Sequence, residues 1–458
     1  MFAKETYIAR RAKLKQTIGS GLLLFLGNDE SGMNYADNTY HFRQDSTFLY
    51  FFGLPYAGLS AIIDIDNNRE IIFGDELTID AIVWMGTQPT LKEKSEAAGI
   101  TEVRPFKEIE TYLKNAQQKG QPIHYLPTYR AEHQIKLFQW LGVVPGAEKP
   151  SVPFIMGVVN QRNYKSEEEI AEIEKACIVT ADMHLAAMRT VRPGIRESEV
   201  AAAVAEVAYA NNYELSFPII ATINGQTLHN HDHSNLIKSG DMLLLDAGAE
   251  TEMGYAGDMS STIPADAKFT TRQREIYDIQ VAAHEAAVAA LRPGIPFVDV
   301  YELSCKVIME GLKELGFVKG DPMEAVRAGA HAMFMPCGLG HMMGLDVHDM
   351  ENLGEVYVGY DGQPKSTQFG RKSQRLAIPL EPGFVHTVEP GVYFIPELMD
   401  LWRSQNKFTE FINYDKLFTY KDFSGIRNEE DYLITENGAR LLGKKIPVRA
   451  EEVEAIRK

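Results

Sequence analysis

The sequence predicts an α/β protein of two domains, the second of which contains two related halves. The length of 458 residues exceeds that of one ordinary domain. Short apolar runs typical of strands alternate with stretches of helical periodicity. A four-residue string, Arg-Pro-Gly-Ile, stands at residues 192–195 and again at 292–295. The length predicts more than one domain, the alternation predicts the α/β class, and the repeated string predicts the duplication.

Charge and cysteine content disfavour several classes of protein. Lys and Arg total 46 and Asp and Glu total 63, so the net charge is −17, which does not suit a nucleic-acid-binding protein. Cys177, Cys305 and Cys337 lack the spacing of a disulfide framework or a zinc ribbon. No signal peptide and no apolar run of membrane-spanning length are present. We therefore expect a cytoplasmic protein that binds neither nucleic acid nor membrane.

Residues 1–158 are expected to form the first domain and residues 159–458 the second. Three apolar runs predict strands in the first domain: Leu22–Leu26, Ala61–Ile65 and Glu70–Phe73. Three prolines then fall close together: Pro145, Pro150 and Pro153. Because proline resists continuing a helix or a sheet, this segment marks the boundary.

Two helices of the second domain match each other. Ser166 and Glu169 have capping-box spacing at the start of a helix that ends at residues 192–195. A second helix starts near Thr270 and ends at residues 292–295. An acidic residue followed by valine comes at the same distance after each string. We predict an internal duplication of two α/β halves with a site between them.

A hairpin is predicted around residues 252–254. An apolar strand ends at Asp246, and the chain would fold back so that Asp246 and Asp258 face each other about 5 Å apart. Facing carboxylates repel, so the pair needs a cation or a shared proton. The alternative is that both are ordinary aspartates in turns at strand ends.

A glycine-rich segment at residues 338–349 contains His341 and His348. Its spacing does not match the dinucleotide-binding pattern Gly-x-Gly-x-x-Gly. Glycines beside a histidine permit close approach of the backbone. Two histidines in such a segment favour a functional site over a role in the core.

Two further segments place carboxylates at or on strands. Glu389 ends an apolar strand and precedes Pro-Gly. Arg427, Glu429 and Asp431 would share one face of a strand. Such a face is costly inside a protein unless its charges are paired or bind metal, and a solvated edge strand is the alternative.

Five of these residues form an ordered candidate metal-binding set: Asp246, Asp258, His341, Glu389 and Glu429. Four carboxylates and one imidazole suit two divalent ions, Mn²⁺ first, with Co²⁺ or Zn²⁺ as alternatives. Their four negative charges balance two such cations, which would lie about 3.5–4 Å apart and activate a water molecule as nucleophile. The zinc-protease motif His-Glu-x-x-His is absent.

This order of motifs resembles the pita-bread metallopeptidases, which include aminopeptidase P, prolidase and methionine aminopeptidase. Gly-His-x-x-Gly-Leu-Asp-Val-His-Asp at 340–349 and Thr-Val-Glu-Pro-Gly-Val-Tyr-Phe at 387–394 resemble the proline-specific branch. Phe-Arg-Gln-Asp-Ser-Thr-Phe at 42–48 resembles the aminopeptidase P N-terminal domain. The resemblance covers nearly the whole chain. It implies a creatinase-like α/β domain followed by a pita-bread domain with a pseudo-twofold duplication.

The resemblance also implies roles for the metal-binding set. Asp246 would chelate one metal ion, Asp258 and Glu429 would bridge both, and His341 and Glu389 would complete the other. Glu389 would also move a proton during the reaction.

Three further residues receive roles from the same resemblance. His229 would lie near the substrate carbonyl, and His348 would stabilise the tetrahedral intermediate. Arg427 would orient the ligand carboxylates. Both histidines, when neutral, could donate hydrogen bonds to the developing oxyanion.

Two positions depart from the proline-specific pattern. Cys337 stands where relatives often have histidine, and Ser261 stands where many have arginine. We expect both to alter substrate contacts or the pH dependence, and for Cys337 the alternative is a role in packing alone. The loop at 361–375 has no function that its sequence indicates.

The expected activity is that of an Xaa-Pro aminopeptidase, acting on peptides with proline at the second position. The nearest alternative is an Xaa-Pro dipeptidase. A metal-free binding scaffold and a creatinase-like hydrolase are disfavoured because all five ligand positions are filled by ligand residues. The family resemblance further implies a homodimer or a higher homo-oligomer.

Overall fold

The computed structural model describes residues 1–457, which separate into two compact units. The first unit comprises Met1–Arg162 together with residues 350–357, and the second comprises Asn163–Asp349 together with residues 358–457. The domain limits 1–158 and 159–458 stay a prediction. Within the described residues, no helix has both the length and the apolar character that crossing a membrane requires.

The secondary structure mixes helices and strands throughout. The α-helices are α1 (Lys4–Ile18), α2 (Ser46–Phe52), α3 (Ile79–Met85), α4 (Leu91–Ala97), α5 (Glu108–Gln118), α6 (Ala131–Leu141), α7 (Val152–Arg162), α8 (Glu167–Thr190), α9 (Glu197–Ala210), α10 (Thr271–Ala290), α11 (Phe297–Glu314), α12 (Pro322–Ala328), α13 (Glu355–Val358), α14 (Pro396–Ser404), α15 (Tyr414–Phe418) and α16 (Ala450–Ile456). The strands are β1 (Leu22–Leu26), β2 (Ser60–Asp64), β3 (Arg69–Phe73), β4 (Glu102–Arg104), β5 (Ile123–His124), β6 (Glu214–Leu215), β7 (Ile220–Thr222), β8 (Met242–Ala247), β9 (Ala249–Glu250), β10 (Met259–Pro264), β11 (Val385–Val388), β12 (Gly391–Phe394), β13 (Ser424–Arg427), β14 (Glu430–Thr435) and β15 (Gly438–Leu441).

The first unit is built on one five-stranded sheet in the order β4-β3-β2-β1-β5. β1, β2 and β3 pair antiparallel, and the two outer strands pair parallel to their neighbours. The three strands predicted from apolar runs are confirmed to within one residue. Pro153 lies in the first turn of α7, a position that tolerates proline because no intrahelical hydrogen bond is lost.

The segment at 42–48 has a structural role in this unit. The Gln44 side chain accepts hydrogen bonds from the backbone N–H groups of Asn28, at 2.7 Å, and Asp45, at 2.8 Å. The Asp45 carboxylate accepts one from the N–H of Phe48 at 2.9 Å and caps α2. These contacts hold the start of α2 against the end of β1.

The second unit contains the predicted pair of matching helices. Capping boxes at Ser166 and Thr270 start α8 and α10. After each helix a glycine adopts a positive φ, 92° at Gly194 and 82° at Gly294. The N–H of Gly194 donates to Ile237 at 2.9 Å, and that of Gly294 donates to Leu380 at 2.7 Å. The same local geometry therefore occurs in both halves.

The correspondence extends to the strands that follow. Gly240 and Gly383 have φ of 90° and 91° and precede β8 and β11, respectively. Asp246 and Glu389 each lie six residues beyond those glycines. The duplication thus places one candidate ligand at the same position in each half.

The predicted register of the hairpin is wrong. Asp246 pairs with Ser260, not with Asp258, and Asp258 lies one residue before β10. The reason is a wider loop: Thr251 and Tyr255 close it by a backbone hydrogen bond of 2.9 Å, which centres the turn on residue 253. Asp246 and Asp258 are therefore diagonal neighbours on one face of the hairpin.

Candidate metal centre

A row of paired strands runs through the second unit and carries the candidate ligands. Asp246 in β8 pairs with Ser260 in β10, and Ser260 forms a bridge with Glu429. The registers of β11 with β14 and of β12 with β13 place Glu389 opposite Glu429. Four segments distant in sequence thus align three carboxylates along one row.

Glu389 and Glu429 lie where two neighbouring strands both interrupt their pairing. β11 ends at residue 388 and β12 begins at 391, and β13 ends at 427 and β14 begins at 430. The N–H of Glu389 donates to Leu339 at 2.8 Å, and the N–H of Glu429 donates to Ser260 at 3.0 Å. The backbones of both glutamates are therefore held by other segments at this interruption.

His341 is held beside β11 by backbone contacts. The N–H of Thr387 donates to the carbonyl of His341 at 3.0 Å. A Cβ atom on Gly340 would lie 2.2 Å from the Thr387 carbonyl oxygen, so this approach requires glycine. The expectation of close backbone approach in this segment is confirmed.

The imidazole of His341 presents its Nε2 atom to the carboxylates. Nδ1 lies 3.0 Å from the carbonyl oxygen of Met342, which can only accept, so Nδ1 carries the hydrogen. Nε2 then offers a lone pair when the ring is neutral. It lies 3.4 Å from Asp258 Oδ2 and 3.7 Å from Glu389 Oε1.

The donor set fits a divalent cation. Asp258, His341 and Glu429 each offer a ligand atom, and these atoms all lie within 4.8 Å of one another. Asp246 Oδ1 and Glu429 Oε1 are buried and have no hydrogen-bond donor. Buried carboxylate oxygens without partners are costly, and a cation is the partner that suits them.

Electrostatics lead to the same conclusion. Burial and the charge of Asp246 raise the pKa of Asp258 to about 8. Burial and the charge of Asp258 raise the pKa of Glu429 well above its usual range, and burial raises that of Glu389. So many carboxylates cannot all be ionised here at neutral pH unless positive charge accompanies them.

Arg427 supplies part of that charge and fixes the orientation of its neighbours. Its guanidinium donates to Asp246 Oδ2 at 2.6 Å, to Ser260 Oγ at 2.9 Å and to the Tyr393 hydroxyl at 2.8 Å. Ser260 in turn donates to Glu429 Oε2 at 2.8 Å. One oxygen of each carboxylate is thereby occupied, which leaves the other available to a cation.

All eight residues predicted for the site line one cavity of about 320 Å³: His229, Asp246, Asp258, His341, His348, Glu389, Arg427 and Glu429. The ring of His348 lies against that of His341, with centroids 4.3 Å apart. Burial and the charge of Arg427 lower the pKa of His229, which favours its neutral form.

The cavity also has a wall that the sequence did not indicate. Phe217, Pro218 and Leu228 form an apolar side, and Arg375 adds a cation from the loop at 361–375. Nothing in the local spacing of these residues distinguishes them from ordinary loop residues. They become recognisable only when the fold brings their segments to the carboxylates.

The two departures from the proline-specific pattern differ in position. Cys337 lines the cavity, where burial raises the pKa of its thiol to about 12 and keeps it protonated. Ser261 does not line it, and its hydroxyl contacts Nδ1 of the buried His184 at 2.8 Å. Successive residues of a strand point to opposite faces, so Ser260 faces Arg427 and Glu429 while Ser261 points away from them. An effect of Ser261 on substrate contacts or on the pH dependence stays a prediction.

Arg427, Glu429 and Asp431 are buried, so the alternative of a solvated edge strand is wrong. The expected single strand is also wrong, because Arg427 ends β13, Asp431 belongs to β14, and Glu429 lies in the interruption between them. Asp431 accepts hydrogen bonds of 3.1 Å from the backbone N–H of Asp258 and from the thiol of Cys177. Asp431 therefore supports the backbone of a candidate ligand.

Comparison with known proteins identifies the family. Residues 171–436 match metallopeptidase family M24, and residues 7–124 match the N-terminal domain of aminopeptidase P. The chain belongs to metallopeptidase family M24. The family resemblance deduced from the motifs is confirmed, and all eight predicted site residues lie inside the matched M24 region.

Two relatives illustrate the range within family M24. The Xaa-Pro aminopeptidase of Escherichia coli K12 is 31% identical over 473 residues, covering 99% of this chain and 98% of the relative. The Xaa-Pro dipeptidase of Homo sapiens is 28% identical over 460 residues, covering 98% and 91%. Both similarities span nearly the whole chain.

Solved structures of the same family agree in fold. Zinc-substituted E. coli aminopeptidase P in complex with product has a TM-score of 0.81 and 28% identity, covering 100% of this chain and 98% of the other. Proline aminopeptidase P II from Yersinia pestis has a TM-score of 0.82 and 27% identity, covering 100% and 99%. The predicted α/β fold, with an aminopeptidase P N-terminal domain before the M24 domain, is confirmed.

Proposed function

We propose that this chain is a metal-dependent Xaa-Pro aminopeptidase, which hydrolyses the bond between the first residue of a peptide and a following proline. The observation that carries the proposal is the buried carboxylate and imidazole cluster in the cavity, with two carboxylate oxygens that lack donors. Relatives named Xaa-Pro aminopeptidase, similar over the whole chain, support the substrate class.

The proposed metal ligands are Asp246, Asp258, His341, Glu389 and Glu429. They are assigned to two divalent cations, with Mn²⁺ as the native metal and Co²⁺ or Zn²⁺ as substitutes, because four carboxylates balance the charge of two such ions. When bound, the cations polarise the substrate carbonyl and lower the pKa of water. Arg427 holds Asp246 in place for this role.

The remaining cavity residues are assigned to binding and proton transfer. His229 and His348, in their neutral forms, donate hydrogen bonds to the oxygen that becomes negative in the transition state. Glu389 takes up and returns a proton during the reaction. The apolar side formed by Phe217, Pro218 and Leu228 receives the nonpolar part of the substrate.

The chemistry of the Xaa-Pro bond suits such a site. It is a tertiary amide without an N–H, so an enzyme that holds a peptide through that hydrogen has nothing to bind. A site that acts on the carbonyl and on the free amino terminus avoids this difficulty. The negative charge of the chain further favours a substrate with a cationic amino terminus.

A dipeptidase is the second candidate, favoured by relatives named Xaa-Pro dipeptidase at 28% identity. Hydrolysis of Xaa-Pro-Xaa tripeptides should be compared with that of Xaa-Pro dipeptides, with Mn²⁺ and after chelation, using Xaa-Ala-Xaa as the control. Metal-dependent release from the Xaa-Pro tripeptide alone, or from both substrates, supports the aminopeptidase. If only the dipeptides are cleaved, the protein is instead an Xaa-Pro dipeptidase. Activity that remains after complete chelation contradicts the metal-dependent mechanism.

Assembly and location are proposed in the same way. A homodimer or higher homo-oligomer is expected, and light scattering of the full chain measures it. A cytoplasmic location is consistent with three cysteines that form no disulfide, and cell fractionation tests it.

A further inference from the structure

The interruption of strand pairing at Glu389 and Glu429 also affects the backbone carbonyl groups of the residues next to them. Where the two strands stop pairing, the carbonyl groups of Pro390 and Asn428 lie outside the ladders of β11 with β14 and β12 with β13. Both residues are adjacent to a proposed ligand. A buried carbonyl needs a donor, so another group must support the backbone at this point.

Gln280, on α10, supplies that donor. Its side-chain amide donates to the Pro390 carbonyl at 2.7 Å and lies 3.4 Å from the carbonyl of Asn428. Gln280 has no exposed surface and does not line the cavity. The amide group of Gln280 therefore binds the backbone next to Glu389 and Glu429.

Asn428 completes the arrangement from the opposite strand. Its side-chain amide donates to Gln280 Oε1 at 2.5 Å, and its own Oδ1 accepts from the N–H of Thr262 in β10 at 3.3 Å. These bonds orient the Gln280 carboxamide so that its N–H₂ group faces the carbonyls.

We propose that Gln280 and Asn428 form an amide clamp that sets the separation and orientation of Glu389 and Glu429 for cation binding. Both are positioning residues, because neither lines the cavity. The inference rests on the proposed function, in which Glu389 and Glu429 are ligands. It extends that function, because a residue of α10 that does not line the cavity would then control the geometry of the two ligands.

The size of the effect follows from other metal sites. Removing a group that orients a ligand typically lowers metal affinity about 10-fold to 100-fold. Methionine in place of Gln280 keeps the length of the side chain but cannot donate to Pro390. We expect Gln280→Met to weaken Mn²⁺ binding by about that factor.

The experiment is calorimetric titration of chelator-stripped full-length protein with Mn²⁺. The matched control is Gln273→Met, because Gln273 is a buried glutamine on the same helix whose amide donates to the Gly240 carbonyl, also at 2.7 Å. Each variant loses a 2.7 Å hydrogen bond to a backbone carbonyl. Each also loses the bond that the glutamine Oε1 accepts, from the Asn428 amide at Gln280 and from the N–H of Thr270 at Gln273. Only Gln280→Met is expected to lose metal affinity, and circular dichroism compares their folding.

A second variant keeps the test decisive if Gln280→Met does not fold. Asn428→Leu retains the bond from Gln280 to Pro390 but removes the group that orients it, so a smaller loss of affinity is expected. If both single variants fold, the double variant should lose less than the product of the two, because the residues act as one unit.

The outcomes separate this inference from the proposed function. If the wild-type protein binds no Mn²⁺, the proposed function fails at its first step. If the wild type binds Mn²⁺ and the clamp variants bind it equally well, or lose no more affinity than Gln273→Met, only the clamp is overturned.

Discussion

At the scale of single residues, two carboxylates of the candidate centre each have one oxygen bound by the protein and one oxygen available to a cation. Asp246 Oδ2 accepts a hydrogen bond from Arg427, and Oδ1 has no donor. Glu429 Oε2 accepts one from Ser260, and Oε1 has no donor. The protein donors restrict rotation of the carboxylates. A cation would therefore meet ligands that are already oriented, which reduces the entropy lost on binding.

Asp258→Asn is expected to stabilise the chelator-treated protein near neutral pH. The pKa of Asp258 rises from 3.8 to about 8 on folding. Because the pKa is higher in the folded state, the carboxyl group does not lower the free energy of unfolding below about pH 4. As the pH rises from about 4 towards 8, the free energy of unfolding falls. Asparagine does not titrate, so the variant lacks this loss.

Thermal unfolding in chelator between pH 4 and pH 8 measures this effect. The Tm of Asp258→Asn minus that of the wild type should increase with pH, and a difference that is constant across the range contradicts the prediction. Added Mn²⁺ provides the control, because it should raise the Tm of the wild type far more than that of the variant.

Residue types determined which parts of the site could be deduced. Asp246, Asp258, Glu389 and Glu429 are charged groups at strand ends, a pattern that is unusual enough to attract a functional interpretation. Ser260 contacts Arg427 and Glu429, but a serine in a strand carries no such signal. Gln280 and Asn428 were missed for the same reason.

At the scale of secondary-structure elements, the segment 339–343 depends on its close approach to β11. Gly340→Ala should destabilise the protein by about 1–3 kcal/mol, since the new methyl group would overlap the Thr387 carbonyl. The displacement should also move His341 and weaken Mn²⁺ binding. Chemical denaturation and metal titration measure the two effects.

Gly438→Ala is the matched control. A Cβ atom at Gly438 meets nothing within 4 Å, and the residue does not have a positive φ. We expect little change in stability or metal affinity for this variant. Equal effects of the two substitutions would show that the contact with β11 does not govern the position of His341.

Helix starts were predicted better than strand pairing. The capping boxes at Ser166 and Thr270 connect residues three apart, so the pattern lies within one short stretch of sequence. The register of β8 with β10 depends on how many residues the loop takes up, and the loop closes between Thr251 and Tyr255. The length of the loop depends on packing on both sides of the hairpin, and a local sequence pattern does not show that packing.

At the scale of the whole molecule, the net charge of −17 should influence the encounter with substrate. Attraction between an acidic protein and a cationic peptide terminus is screened by salt. We expect kcat/KM for an Xaa-Pro-Xaa tripeptide amide with uncharged side chains, whose net charge is +1, to fall a few-fold as NaCl rises from roughly 0.05 M to 0.5 M. Steady-state kinetics at constant Mn²⁺ measure it.

The corresponding tripeptide amide with glutamate as its first residue, whose net charge is zero, is the control for this effect. Its extra negative charge offsets the amino terminus, so its kcat/KM should depend less on salt. The same loss of kcat/KM for both peptides would point to an effect of salt on the metal or the fold instead of on association.

The sequence by itself determined the α/β class, the duplicated helices, the acidic balance and the identity of the candidate ligands. The acidic balance depends on composition, and the other features depend on short patterns that can be recognised wherever they stand in the chain. Only the tertiary structure decided that Asp246 pairs with Ser260, that Ser261 points away from the cavity, and that Gln280 supports the backbone beside Glu389. These features depend on contacts between segments far apart in the chain, and such contacts are set by the packing of the whole second unit.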